Sequence, residues 1–515
     1  MKKEVKILDC TLRDGGYYTN WDFDKQLVDE YYKAMEILPI DYVEIGYRSI
    51  PLNRYLGEYF YCPEYVMEKA KRMMPSKKLA IILDEKTTKI EDLDYLLDPC
   101  KPFISMVRMA IAPNKLINAI NIAKVIKAKG FEVGFNIMYM SNWKEDKEFL
   151  NQLDKVNDIA DVFYMVDSYG GVLPKDIEEI FSLVSSKLDI PVAFHGHNNL
   201  ELAHINTLTA IESGCLMVDA TITGMGRGAG NLKTELLLTY FSAKEDLKLS
   251  MNELSSVVSN FEKLQQVYKW GTSLPYMFSG VYSLPQKEVM EWIGLNRYPL
   301  GSIVNALKNQ KDSISDNLKL PSFNTELDCK FAIIIGGGKS IQYHHDAIER
   351  FIETSENVCV IHAGARYISL FNDLTNAKQF YCLVGSEIYK LSKEFHNLKE
   401  ISNTCIFPPF PRKMGTIIPD ELKDRSFELE KISFIDEYQD SPLAIALEVA
   451  LQLKSNEIVL AGFDGYDTSI NRIQFQLSNE NQQIIDSFEK NCSTLKSCTP
   501  TKYKNIKEVS IYSSL

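Results

Sequence analysis

Nowhere in this chain do apolar residues run for the roughly 18 consecutive positions that a membrane-crossing helix needs, so no membrane partner is expected. Basic residues are not in excess either. Lys and Arg number 57 against 69 Asp and Glu, a net charge of −12. Nucleic-acid binding needs a concentrated basic surface, so none is expected. The ten cysteines are scattered and form no CxxC, which excludes the common zinc-ribbon and redox spacings. In a long chain they read as reduced, mostly buried thiols, and the cytoplasm is the expected location. The opening MKKEVKILDCTLRDGG has charge but no apolar stretch before a small-residue cleavage site, so no signal peptide is expected. Histidine is scarce, seven in 515 residues, yet two stand in 195-HGHNN-199.

What is present is a regular alternation. Short β-rich runs recur at 5–11, 41–47, 78–84, 104–111, 131–139, 162–169, 191–198 and 217–224. Segments such as DKQLVDEYYKAMEI and PKDIEEIFSLVSSKL lie between them, with apolar residues at i, i+3, i+4 and i+7, the period of a half-buried helix. Eight strands with crossovers predict a closed parallel (β/α)8 barrel, an α/β fold. An open doubly wound sheet uses the same alternation, but the count of eight favours closure. We place the barrel at 1–270, a helical extension packing on it at 271–311, and a linker at 312–328. A second, smaller α/β domain of Rossmann-like type is expected at 329–515, opening with CKFAIIIGGGKSI.

A barrel places its chemistry at the C-terminal ends of its strands. Polar residues collect there: Arg13 and Asp14 after strand 1, Arg108 in strand 4, Asn136 in strand 5, Asp167 near the end of strand 6, and His195 and His197 on strand 7. The two histidines are two apart on a strand, so they share a face. Two imidazoles and one carboxylate, with open positions, suit a catalytic divalent ion. Asp14 is the natural third ligand, because strands 1, 7 and 8 are near one another once the barrel closes.

DCTLRDGG (9–16), HGHNN (195–199) and GMGRGAGN (224–231) together resemble the signature stretches of the DRE-TIM metallolyases, nearest to the 4-hydroxy-2-oxovalerate aldolase branch. The resemblance covers about residues 4–300. It implies a metal-dependent carbon–carbon lyase acting on a 2-oxo acid and an aldehyde. It puts the metal, manganese first and magnesium or cobalt as alternatives, on Asp14, His195 and His197. It makes Arg13 the enolate stabiliser, Glu44 the partner that holds Arg13, and Asn231 an extra ligand or supporting group. The chain departs from the branch at one position: Tyr17 stands where a catalytic histidine is expected. A phenol with an ordinary pKa of about 10 is a poorer base at neutral pH. Tyr17 or Tyr18 then acts with the metal's help, or another group takes the proton. Tyr18, Tyr47 and Arg48, with Asn20, are expected to line a hydrogen-bonding pocket for a larger, polar aldehyde. Asn199 is expected to support the site or fix its loop.

Two rival functions remain at this stage. One is acyl-CoA lysis or Claisen condensation, disfavoured because GMGRGAGN has no cysteine. The other is a nucleotide- or sugar-binding protein with a silent barrel. GGGKS (336–340) is neither a complete phosphate loop nor GxGxxG. A strand, a glycine turn and a helix still suit an anion, so a nucleotide or sugar phosphate is the expected ligand there. IIIGGGKSI and LAGFDGYD resemble a Rossmann-like family of unknown function found with bacterial surface-sugar genes, which implies a carbohydrate pathway. A homo-oligomer is expected.

Overall fold

The structure, a computed structural model, describes residues 5–514 apart from 246, 296, 297, 299, 317, 386, 396, 397, 413, 415–417 and 467–471. It divides into two compact units, Met1–Val289 and Met290–Leu515. Residues 271–289 therefore belong with the first unit and 290–311 with the second, so the expected extension is shared between them.

The first unit is a closed eight-stranded parallel barrel. Its strands are β1 (Lys6–Asp9), β2 (Tyr42–Tyr47), β3 (Lys78–Asp84), β4 (Met106–Ile111), β5 (Glu132–Ile137), β6 (Val162–Asp167), β7 (Val192–Gly196) and β8 (Met217–Ala220). Each falls inside a β-rich run of the sequence. Closure comes from β1 pairing with β8, Lys6 opposite Met217 through Asp9 opposite Ala220. Helices cover the outside, so strands such as KLAIILD are apolar on both faces rather than alternating. The helix after β6, Pro174–Ser185, buries Ile177, Ile180 and Val184, one stripe of a 3.6-residue period.

Thr11–Thr19 forms a helix, α1, directly after β1. Two adjacent glycines oppose helix formation by roughly 1 kcal/mol each. Packing overrides this. A side chain at Gly15 would lie 2.5 Å from the Met225 sulfur, and one at Gly16 would lie 2.1 Å from the Trp21 ring. The second helix, α2 (Lys25–Ile37), is capped by the Asp24 carboxylate, which accepts from Leu27 N.

The second unit holds an open sheet of eight parallel strands. These are β9 (Phe331–Ile335), β10 (Val358–Ala363), β11 (Lys378–Cys382), β12 (Thr404–Phe407), β13 (Ser426–Glu428), β14 (Glu457–Ala461), β15 (Lys496–Ser497) and β16 (Lys507–Glu508). Their order is 13-12-11-10-9-14-15-16, so chain direction across the sheet reverses between β9 and β14. The opening CKFAIIIGGGKSI supplies β9, and the β-rich runs 357–364, 379–386 and 457–467 supply β10, β11 and β14, with Ser386 and Asp467 outside the described residues. β12, β13, β15 and β16 are too short for a periodicity argument. The segment 312–328 is partly built into this unit. Leu320 and Phe323 are buried, and Phe323 N donates to the Glu428 carbonyl. Asp316 accepts from Arg412 Nε at 2.9 Å. All ten cysteines are unpaired, and Cys492 alone is exposed.

Candidate metal centre and active site

Three carboxylates, two guanidiniums and one imidazole form a closed ring inside the mouth of the barrel. Arg13 Nε donates to Glu44 Oε2 at 2.6 Å. Arg108 Nη1 lies 3.2 Å from the same oxygen, and Arg108 Nη2 pairs with Asp219 Oδ2. His195 Nδ1 lies 2.8 Å from Asp219 Oδ2, and its Nε2 lies 3.5 Å from Asp14 Oδ2. Asp14 Oδ1 returns to Arg13 Nη1. Every member is buried. With the imidazole counted as neutral, two positive and three negative charges leave one net negative charge. A buried net charge is costly unless a counter-ion meets it.

The second histidine converges on the same point. His197 Nδ1 lies 2.8 Å from the Asp167 carbonyl oxygen. A carbonyl only accepts, so Nδ1 carries the proton and the Nε2 lone pair is left for a ligand role. Asp219 does the same for His195. Outward-anchored Nδ1 atoms with inward Nε2 atoms are how proteins orient metal-binding imidazoles. Burial and the neighbouring His195 hold the His197 imidazole down at about 3, so it is neutral at working pH, as a metal requires. Burial raises the Asp14 carboxyl, but Arg13 and then the two imidazoles outweigh it and hold it at about 2. Asn231 Nδ2 donates to Asp14 Oδ2 at 2.6 Å, and its Oδ1 is buried without a partner.

Two groups here have ligand atoms close enough to share one ion: Asp14, His195 and His197, and Cys10, His195 and Asp219. The second is poorly suited chemically. Burial pushes the Cys10 thiol well up, away from the thiolate a metal needs. Asp219 is already neutralised by Arg108 and hydrogen-bonded to the His195 nitrogen it would have to share.

Arg13 is fixed by Asp14 and Glu44, and its carbonyl accepts from Trp21 Nε1 at 2.8 Å. Its Nη2 has no hydrogen-bond partner among the described residues. Asn136 Oδ1 accepts from Arg108 Nε at 2.9 Å, completing the floor of the ring. Tyr17, one turn along α1 from Asp14, has its hydroxyl 3.0 Å from the Tyr47 hydroxyl. Burial pushes the Tyr47 phenol well up, so it keeps its proton. Tyr18 donates to the Gly228 carbonyl at 2.8 Å and holds the loop after β8.

Arg48 does other work than line a pocket, whereas Asn199 fixes the following chain and Asp167 supports a histidine. The fork of Arg48 donates to the carbonyls of Leu96 and Tyr61 at 2.7 and 2.8 Å, and also reaches those of Tyr95 and Cys62. It ties segments behind the barrel rather than lining a pocket. Asn199 donates to the Tyr276 carbonyl and accepts from Gln286, securing the chain that follows the barrel. The Asp167 side chain accepts from the amides of Gly171 and Val172. Burial raises its carboxyl to about 7, and only its backbone oxygen serves the site, through His197. Asn20 is the exposed, left-handed end of α1.

Sequence reasoning missed Asp219, a charged residue inside the apolar run MVDATI, and Arg227, the one cation among the glycines of GMGRGAGN. An aspartate facing inward on a barrel strand is itself a signal, because nothing but a buried partner would keep it there.

A closed parallel barrel with two anchored imidazoles and a carboxylate at its mouth, backed by a pinned guanidinium, defines a lyase of the metal-assisted class. The HMGL-like family model matches residues 104–267. A 4-hydroxy-2-oxovalerate aldolase of Carboxydothermus hydrogenoformans is 30% identical over 293 residues, covering 55% of this chain and 85% of that protein. An oxaloacetate decarboxylase of Mycobacterium tuberculosis is 27% identical, covering 48% of this chain and 72% of that protein. The solved N-terminal domain of a candidate aldolase from Bacteroides vulgatus is 51% identical, with a TM-score of 0.56, covering 59% of this chain and all of that domain. The chain belongs, through its barrel, to the HMGL-like family of lyases.

Proposed function

We propose that the barrel is an aldolase that makes or breaks a carbon–carbon bond between a pyruvate-type enolate and an aldehyde. The observation that carries this is the pair of histidines with both Nδ1 atoms anchored outward and Nε2 atoms left toward Asp14, inside a ring one positive charge short of neutrality. Asp14, His195 and His197 would hold a divalent ion. A mixed imidazole and carboxylate set suits manganese, with magnesium or cobalt as alternatives. Such an ion would act as a Lewis acid toward the 2-oxo acid.

The protein's own groups supply the rest. Arg13, its fork fixed on two sides, offers its remaining edge to the oxygen on which enolate charge develops. Glu44 and Asp14 prevent that guanidinium from turning away. Tyr17 and Tyr47 form a hydroxyl pair beside Asp14 that can pass a proton to and from the aldehyde oxygen. In the cleavage direction the aldol hydroxyl loses its proton, the carbon–carbon bond breaks, and its electrons become the enolate. A proton at the enolate carbon then gives the methyl group of pyruvate.

The test is metal content by elemental analysis, followed by deuterium exchange at the pyruvate methyl in the full chain. Bound metal and exchange are expected in the unaltered protein. A His197→Ala variant is expected to lose both, and normal exchange in that variant would remove the ligand assignment. In the second unit, the strand order turns between β9 and β14, the place where open α/β sheets take their ligands, which supports a small-molecule site there. Asp464 already accepts from Ser340 N at 3.0 Å at the helix start beside that turn.

A further inference from the structure

The interior guanidiniums of the barrel differ in one respect. Arg13 and Arg108 are paired with carboxylates, and the nitrogens of Arg48 are taken up by main-chain carbonyls. Arg227 has neither kind of partner among the described residues. It lies over the face of Tyr17, with the guanidinium carbon 4.1 Å from the ring centroid. A cation on an aromatic face is attracted by the ring but donates none of its hydrogen bonds to it. Its flat fork stays available to a planar or tetrahedral oxyanion.

Its position is fixed. Arg227 lies between Gly226 and Gly228 in the loop after β8. Gly228 has φ of +63° and Gly230 of +80°, conformations that glycine adopts without strain. A side chain at Gly226 would lie 2.5 Å from Asn231 Nδ2, and Asn231 bonds Asp14. Tyr18 holds the same loop through the Gly228 carbonyl. Arg227 is therefore carried on a loop anchored to the ligand carboxylate, against the tyrosine that stands where the proton is handled. Asp14, Tyr17, Tyr47 and Tyr139 all bear on its charge, which places it over the mouth rather than on the outer surface.

A divalent ion and Arg13 together account for the carboxylate and the developing oxyanion of the 2-oxo acid. Arg227 is one more fixed positive charge than that half of the reaction needs. We propose that Arg227 selects an aldehyde acceptor bearing its own anionic group, a carboxylate or a phosphate, and holds that group while the aldehyde carbon meets the enolate. This inference rests on the aldolase reading. The bond forms between the enolate carbon and the aldehyde carbon. The pyruvate methyl loses one proton and the aldehyde oxygen gains one, so no further reagent is required.

The experiment uses the full chain supplied with manganese and pyruvate. Acceptors come in matched pairs: glyceraldehyde 3-phosphate against glyceraldehyde, and succinic semialdehyde against butanal. Adduct formation gives kcat/KM for each, and deuterium exchange at the pyruvate methyl is followed without acceptor. The anionic member of at least one pair is expected to be preferred roughly 100-fold, because a site built to pair a charge rejects the analogue lacking it. Which pair shows the preference separates phosphate from carboxylate. Arg227→Gln is expected to erase the preference, chiefly through KM for the anionic acceptor, and Arg227→Lys to restore part of it. Equal rates for both members of both pairs, with exchange intact, would overturn the proposal. So would a preference that survives Arg227→Gln. Absence of exchange in the unaltered protein is the separate result that removes the aldolase reading and this inference with it.

Discussion

Both units solve one problem, eight parallel strands side by side, and they treat buried charge in opposite ways. The barrel is closed, and its strands turn Glu44, Arg108, Asn136, His195 and Asp219 into its own interior. The second sheet is open, and its central strands are filled with Ile333, Ile335, Val360 and Val459. A buried ion cluster lies at one edge, where Arg412 joins Asp316 and Glu428, each at 2.9 Å. The barrel's ring carries one unbalanced charge and points a guanidinium edge and two lone pairs at a common space. The Arg412 cluster is also one positive charge short, but its guanidinium is spent on the two carboxylates and on the Pro408 and Leu318 carbonyls, and it fastens the segment before β9 to β13. A buried ion pair is thus not evidence of chemistry by itself. Open valence, not net charge, distinguishes a site from a fastening.

This contrast can be attacked by variants made in parallel. Arg108→Met leaves Asp219 buried without its guanidinium and Glu44 with Arg13 alone, and Arg412→Met strips the guanidinium from Asp316 and Glu428. Each should cost its own unit about 3–5 kcal/mol in denaturant unfolding. Pyruvate exchange should fall only in the first. If Arg412→Met also stops exchange, the separation of roles is wrong. Arg13→Gln should lower exchange by roughly 100- to 1000-fold, the scale seen when one fixed donor to a developing oxyanion is removed. The transition of the second unit in calorimetry should not move.

Removing divalent metal with a chelator should destabilise the barrel alone, by about 2.7 kcal/mol if the free ion stood at 100 times its dissociation constant. Two calorimetric transitions shifting together would contradict that. The smallest expected effect is on pH. Burial holds the His362 imidazole in the second unit down at about 4, below its ordinary 6.5. Above 6.5 neither state binds the proton, and the group contributes nothing. As pH falls from 6.5 to 4 the unfolded chain takes the proton first, so stability is lost, by about 1–3 kcal/mol at most. His362→Gln should flatten that part of the pH profile, and an unchanged slope would place the acid sensitivity elsewhere.

The sequence was most readable where one periodicity or one charge stood against its background. The eight barrel strands were legible because buried parallel strands are continuous apolar runs. That Asp14, His195 and His197 come together was legible because their positions are fixed by strand ends. The failures share a cause. Arg48 is adjacent to β2, as a pocket residue would be, but its direction depends on four carbonyls from remote loops. The helical state of α1, on which periodicity was silent, is likewise set by remote partners, since Met225 and Trp21 leave no space for anything larger than its glycines. Arg227 stayed hidden because its meaning lies in the ion pairs it does not make among the described residues.

The packing of α1 also fixes when the site can exist. Cys10 N donates to the Ala220 carbonyl, and Thr11 Oγ1 accepts from Ile222 N, 211 residues away. Tyr18 reaches Gly228 across 210. Asp14 is made well before the eighth strand and the loop behind it, and although Trp21 and Glu44 can hold its helix early, these last contacts must wait for them. During synthesis the chain can form most of its barrel wall while remaining chemically inert. Catalytic competence would appear late and abruptly, as the ring of strands closes.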